Sequence, residues 1–261
     1  MDEAACRQFR DPESAHWWFQ GRRAIFCRVL DRFLLPAPGG PAPGGTRAPL
    51  LLLDLGCSAG AMLGRLARYG RVIGLDPEPG SLRHCRARGL VDVSLGNAYH
   101  LPFGAATFDG VTLFDSLEHI DDDRAVLGEV ARVLRPGGLV MVTVPAYPFL
   151  FSDNDVAAGH RRRYTAGMLK RRLRAAGLPP VKTSYYNTIL FPLIVPVVLL
   201  KKAKTQLCGR AGPPRSNVSY ALPRPLNAAL AAVFRAERFP LSRLSFPLGH
   251  SLLCVSRKVG S

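Results

Sequence analysis

The 261-residue chain predicts an α/β fold, a mostly parallel, doubly wound sheet of seven strands flanked by helices. Three observations carry this expectation. From Leu50 onward, short apolar runs alternate with helical patterns, the sequence signature of βαβ units. The first run ends in a glycine turn, Asp54-Leu55-Gly56-Cys57-Ser58-Ala59-Gly60, placed to open a helix at the carboxyl edge of a sheet. Finally, 48% hydrophobic and 21% charged residues suit one full core with a modest appendage and exclude a disordered chain.

The elements follow in order. His16-Trp17-Trp18-Phe19-Gln20-Gly21-Arg22-Arg23 leads into an amphipathic helix over 24–35, where Ile25, Val29, Leu30 and Phe33 recur at helical spacing. The Pro/Gly tract 36–49 reads as a linker. Strands are expected at 50–54, 72–76, 91–95, 108–114 and 139–144, with helices near 61–69, 80–88 and 122–134. Asp121, Asp122 and Asp123 mark the start of the last helix, and Arg135-Pro136-Gly137-Gly138 its end. A basic helix over 165–176 precedes a strand at 181–186, and 252–257 closes the sheet. The chain thus divides into a helix (1–35), a linker (36–49), a core (50–187), an inserted cap or membrane-docking segment (188–250) and a closing strand with its tail (251–261).

Charge is unevenly placed. Residues 145–261 hold 19 Lys and Arg against three Asp and Glu, which accounts for the whole net charge of +16. Such a half points to an anionic partner or to an ordinary basic surface. Cys6, Cys27, Cys57, Cys85, Cys208 and Cys254 are scattered without C-x-x-C, so neither a disulfide framework nor a zinc cluster is expected, and a reducing cytosol fits. The start, Met1-Asp2-Glu3, lacks the pattern of a secretory signal. The apolar run 189–200 is interrupted by Pro192 and Pro196 and is shorter than the roughly 20 residues a spanning helix needs.

The strongest chemical constellation is the glycine turn together with Asp76 at the end of the second strand. Glycine lets a ligand approach the backbone, and an acid there can accept hydrogen bonds from both hydroxyls of a ribose. Gly56 and Gly60 are spaced G-x-x-x-G, not G-x-G-x-x-G, and Asp54 would repel the phosphates of a dinucleotide. The pattern favours a nucleoside carrying a cationic group.

At these residues the sequence resembles the class I S-adenosylmethionine (SAM)-dependent methyltransferases, particularly those with a type 11 methyltransferase domain. The resemblance continues through Leu95-Gly96-Asn97-Ala98, Leu101-Pro102-Phe103, Phe108-Asp109, Asp115-Ser116-Leu117-Glu118-His119-Ile120 and Leu134-Arg135-Pro136-Gly137-Gly138, and covers about 50–147. It implies a Rossmann-like sheet whose last strand is antiparallel, with an N-terminal helix and an inserted C-terminal cap. It implies SAM as cofactor, with Asp54, Gly56, Cys57, Ser58 and Gly60 around the amino-acid part and sugar, Asp76 and Pro77 at the ribose, Asn97 and Ala98 at the adenine, and Phe114 and Asp115 closing the site. Many relatives carry Asp where this chain has Asn97. The opening aromatic segment resembles an N-terminal helix that covers the cofactor in bacterial relatives, with Trp18 shielding it and Arg23 pairing with its carboxylate, or else its aromatics simply pack on the sheet edge.

SAM carries its own leaving group, so the protein needs mainly to align the acceptor, exclude water and at times take a proton. His119 is placed to be that base, with Glu118 as its orienting partner, or both simply build the turn. Some family members bind a divalent ion through Glu-His here, but the sequence offers no further ligand at convincing spacing, and no metal is expected. The acceptor is expected to meet Tyr147 and the segment His160-Arg161-Arg162-Arg163-Tyr164, with His160, Arg162 and Tyr164 binding a phosphate or carboxylate on it; the alternative is a solvated start of a basic helix, for which a cationic N-terminus is poorly suited. The run 189–200 followed by Lys201, Lys202 and Lys204 suits either a lid or peripheral docking on an anionic membrane. A small-molecule or lipid-linked acceptor is therefore expected. RNA is disfavoured by the absence of an Asn/Asp-Pro-Pro-aromatic motif after the fourth strand, although the basic half keeps an RNA methyltransferase open, and a noncatalytic SAM-binding or membrane-docking protein is the other rival.

Overall fold

The structure, a computed structural model, describes residues 15–35, 49–209 and 222–260. Seven strands form one sheet: β1 (Leu50–Leu55), β2 (Gly70–Asp76), β3 (Val93–Leu95), β4 (Phe108–Phe114), β5 (Leu134–Pro145), β6 (Pro180–Tyr186) and β7 (Ser251–Arg257). Their order is β3-β2-β1-β4-β5-β7-β6. The first five are parallel, while β7 runs antiparallel to both β5 and β6. The sheet is thus the one expected. Its order reverses between β1 and β4, and the crevice beyond their carboxyl ends is where such sheets bind ligands.

The flanking helices are α1 (Trp17–Leu34), α2 (Leu63–Leu66), α3 (Pro79–Ala87), α4 (Asp123–Val133), α5 (Asp153–Ala158), α6 (Ala166–Ala175), α7 (Phe191–Cys208), α8 (Arg224–Ala236) and α9 (Arg238–Arg243). Local chemistry explains their starts. Asp122 accepts hydrogen bonds from the amides of Arg124 and Ala125 to cap α4, Glu78 caps α3 ahead of Pro79, and Thr165 caps α6. Ser152 and Asp155 form a capping box on α5, which ends at Gly159 in the left-handed region.

Two helices depart from expectation in length. α1 begins at Trp17, because His16 accepts from the Trp18 amide and both tryptophans pack against Phe234 of α8, Trp17 edge-on and Trp18 tilted. The helix expected over 61–69 shrinks to the four residues of α2. In the inserted segment α8 and α9 meet at Glu237. The Arg135-Pro136-Gly137-Gly138 segment opens β5, where Gly137 and Gly138 exchange backbone hydrogen bonds with Lys258. Cys27, Cys57, Cys85, Cys208 and Cys254 form no disulfide among the described residues; Cys6 and nearly all of the expected linker lie outside them.

Each face of the sheet has its own core, and β5 shows the division. Leu139 and Met141 join Ile25, Phe26, Val29, Leu30 and Phe234 on one side; Val140, Val142 and Val144 join Val126, Val130, Leu169 and Leu173 on the other. This is the period-two alternation of a strand covered on both faces. No helix among the described residues is long and apolar enough to cross a membrane.

Glu129 on α4 fixes the stretch that leads from β3 to β4. Its carboxylate accepts from the Leu101 amide at 2.8 Å and from Arg132, which also donates to the Leu101 and Phe103 carbonyls. The Arg132 hydrogen bonds hold the Glu129 pKa down to about 2. A depressed carboxylate adds stability above the unfolded value, near 4.3, and loses it as pH falls through the folded one. The stability difference between wild type and Glu129→Gln should therefore be constant above about pH 5 and close as the pH approaches about 2. Urea unfolding at a series of pH values measures this, and a gap independent of pH would refute it.

Candidate active site

The carboxyl ends of β1, β2 and β4 open into a cavity of about 1010 Å³. Its floor is the turn after β1. Gly56 sits at φ +82, where a Cβ would lie 2.7 Å from that of Ser116, and its amide donates to the Leu75 carbonyl at 2.8 Å. Ser58 also has a positive φ, of 48, which aims its amide at Asp76 Oδ2, 2.8 Å away. The Glu78 amide binds the other oxygen at 2.9 Å. Asp76 is thus clamped at the cavity edge; burial raises its pKa, and the two amides partly offset the rise.

The remaining cofactor candidates separate around this clamp. Pro77, Asn97, Ala98, Phe114 and Asp115 line the cavity with Gly56, Ser58 and Asp76. Asp54 is buried, accepts from the Thr112 hydroxyl at 2.7 Å, and shares an adjoining recess with Cys57 and Arg23. Gly60 faces away, against Leu90 and Cys85, so its part is to pack the turn.

α1 forms one wall, with Trp17, Trp18 and Phe19 facing the cavity. Sequence reasoning selected Arg23, but Arg22 lines both spaces and pairs with Asp115 at 2.5 Å among the rings of Trp18, Phe19 and Phe26. The missed signal was the flanking of Arg22 by aromatics four residues away on either side. The inserted segment supplies a further wall through Ile194, Val197 and Val198 of α7 and Leu230 of α8.

Glu118 and His119 lie on the 3₁₀ turn Leu117–His119, and the structure brings His160 to them. His119 Nδ1 lies 3.1 Å from the Gly159 carbonyl, and His160 Nδ1 lies 2.8 Å from Asp155 Oδ1. Those bonds fix both rings with a proton on Nδ1 and the lone pair on Nε2. His160 Nε2 is 3.9 Å from Glu118 Oε1. Glu118 is fully buried, and its pKa stands well above the ordinary range because of burial first and the nearby Asp115 charge second. Burial, then His160, lowers the His119 pKa to about 4, which keeps the ring neutral but makes it a weak proton acceptor near neutral pH. The third side chain that the sequence did not offer beside Glu118-His119 is therefore His160. One ligand atom from each of the three lies within 4.8 Å of the others.

The acceptor-binding expectations need correction. Tyr164 is fully buried and donates to Asp123 Oδ2 at 2.8 Å, inside the core under α4. Arg162 donates to the Asp121 carbonyl at 2.7 Å and faces Asp123. Tyr147 stacks on Tyr185 at 5.0 Å between ring centres. None of the three lines the cavity; His160 and Arg163 do. Arg163 is itself buried in a two-pronged bond to Asp155, and Arg161 pairs with Asp121, so the arginine run is engaged by the protein's own carboxylates.

Comparison with known proteins agrees with this architecture. Residues 53–142 match the family described as a methyltransferase domain. A Mycolicibacterium smegmatis protein named "probable S-adenosylmethionine-dependent methyltransferase" is 37% identical over 167 residues, 62% of this chain and 59% of that protein. The ubiquinone biosynthesis O-methyltransferase of Methylocella silvestris is 38% identical over 127 residues, 44% of this chain and 50% of that one. The chain thus spans between half and three fifths of these relatives' lengths. A chain from the complex of the Haloferax volcanii Trm112 methyltransferase activator with a methyltransferase superposes with a TM-score of 0.59 at 19% identity, over 99% of this chain and 95% of that one, which shows a shared fold. Residues 53–142 thus carry the match to a type 11 methyltransferase domain, within a fold shared with solved methyltransferases.

Gly56 tests the geometry of the turn. Gly56→Ala forces a side chain into the left-handed region against Ser116 and should cost about 1–3 kcal/mol. Denaturant unfolding measures the loss, and a variant as stable as the wild type would refute the close approach.

Proposed function

We propose that this chain is a SAM-dependent methyltransferase acting on a small-molecule acceptor. The observation that carries the reading is the Asp76 carboxylate, held by two amides beside the open Gly56–Ser58 turn at the cavity edge. A clamped acid next to a turn with no Cβ suits a ribose, Asn97 and Ala98 offer an edge for an adenine, and Asp54 with Arg22 and Arg23 offers paired charges for an amino-acid group. SAM, when bound, supplies a methyl carbon on a sulfonium that leaves as a neutral thioether. The chain's own part is orientation and dryness: Trp18 and Phe19 cover the cofactor end, and Glu118, His119 and His160 meet the acceptor at the other. Isothermal titration with SAM and with its demethylated product should give one site per chain. Asp76→Ala should weaken it at least about tenfold through loss of charged hydrogen bonds. Wild-type protein without affinity for either compound would overturn the reading.

A lipid-linked acceptor is favoured by α7. Leu193, Val197, Leu200 and Leu207 of this helix are exposed, Lys201 and Lys202 follow the apolar run, and Ile194, Val197 and Val198 line the cavity. An apolar surface continuous with the pocket wall and flanked by lysines suits a protein that rests on an anionic bilayer and draws its acceptor from it. Co-sedimentation with phosphatidylglycerol vesicles should retain the protein at low salt, and Leu193→Ser with Leu200→Ser should abolish retention without affecting SAM affinity. Equal retention of the double variant would count against the docking face.

A further inference from the structure

We infer that Glu118, His119 and His160 form a binding site for one divalent transition-metal ion, with its open coordination positions facing the cavity. The inference rests on the methyltransferase reading only for what the ion would hold. The site itself stands on geometry.

Three features point the same way. First, Glu118 is fully buried, and neither of its carboxylate oxygens has a hydrogen-bond partner among the described residues. A carboxylate taken out of water without partners is costly, and a cation is the compensation that would also leave it acceptor-only. Second, both imidazoles are anchored through Nδ1, His119 on the Gly159 carbonyl and His160 on Asp155, so each keeps its Nε2 lone pair for a ligand. His160 Nε2 lies 3.9 Å from Glu118 Oε1. An ionised carboxylate and an imidazole lone pair held this close repel, and a proton on Glu118 or a metal cation between them relieves it; the cation also satisfies His119. Third, Asp155 is locked by Arg163 and Ser152, giving the carboxylate–histidine pairing that orients metal-bound imidazoles elsewhere.

The donor set is two nitrogens and a carboxylate, suited to zinc or manganese more than to magnesium or calcium. Three protein ligands leave a position open, which marks a site that takes a small ligand and not a closed structural one. All three residues line the cavity, so an oxygen of the acceptor, from a hydroxyl or a carboxylate, is the chemistry that fits that position. In this arrangement His119 serves as a ligand and not as a lone base.

The test uses the full chain stripped with a chelator and titrated with zinc chloride or manganese chloride against a chromophoric competitor. One saturable equivalent per chain is expected. Glu118→Gln and His160→Ala should each weaken binding by about tenfold or more, and His100→Ala, at an exposed histidine outside the cluster, should bind as the wild type. Sinefungin affinity and a thermal melt on the same samples show whether each variant is folded. Should a variant fail that check, cobalt(II) spectra of the wild type before and after saturating zinc report nitrogen ligation without mutation. No saturable ion in stripped wild type, or unchanged affinity in folded Glu118→Gln and His160→Ala, overturns the site. Cofactor affinity without metal binding would sink this inference alone, whereas metal binding without cofactor affinity would sink the methyltransferase reading.

Discussion

One buried carboxylate organises the functional end of the molecule. Asp155 accepts from the backbone and hydroxyl of Ser152, from His160 and from both prongs of Arg163. Burial would raise its pKa, but the His160 and Arg163 hydrogen bonds more than reverse this and hold it well below the ordinary carboxylate range. Removing one partner of such a pair leaves a charge stranded in a low dielectric, which is far costlier than losing a surface contact. Through Arg163 the same group reaches the Ala146 carbonyl at the end of β5, and through His160 it reaches Glu118 at the end of β4. The sheet edge and the loop that covers it are therefore set by a single acid.

The charge asymmetry has a similar internal explanation. Arg161, Arg162 and Arg172 from the basic half meet Asp121 and Asp123 at the start of α4. Acids at that position also suit the positive end of the helix. Part of the positive excess thus fastens the later part of the chain to the earlier part. This weakens the case for RNA, which would need those guanidinium groups free for phosphates.

The sheet was legible in the sequence because its strands are short apolar runs bounded by Gly, Pro and Asp, a pattern that survives any packing detail. β4 fell on its expected residues, and the Gly56–Ser58 turn and Asp76 meet as the motif required. What stayed hidden was long-range pairing. Nothing near His160 in the chain announces Glu118, since an imidazole beside arginines reads equally well as an anion site. Tyr164 looked available for the same reason, although an aromatic ring of that size is worth more in the core than at a wet edge. Arg22, which lines the recess beside Arg23 and the larger cavity as well, went unselected because its placement depends on the rotation of α1, which packs on Phe234 some two hundred residues away.

That dependence of α1 on α8 is physical as well as interpretive. Asn227 of α8 accepts from the Trp17 amide at 2.8 Å and donates to the Ala15 carbonyl at 3.0 Å, while Phe234 packs over both tryptophans and directly against Gly21. The roof over the pocket is assembled from segments at opposite ends of the described chain. During synthesis, the sheet edge that would hold a nucleoside is complete well before residue 240 leaves the ribosome, whereas its cover is not. Enclosure of an occupant therefore follows formation of the edge that would hold it, and it waits on a distant pairing whose loop closure makes it slow.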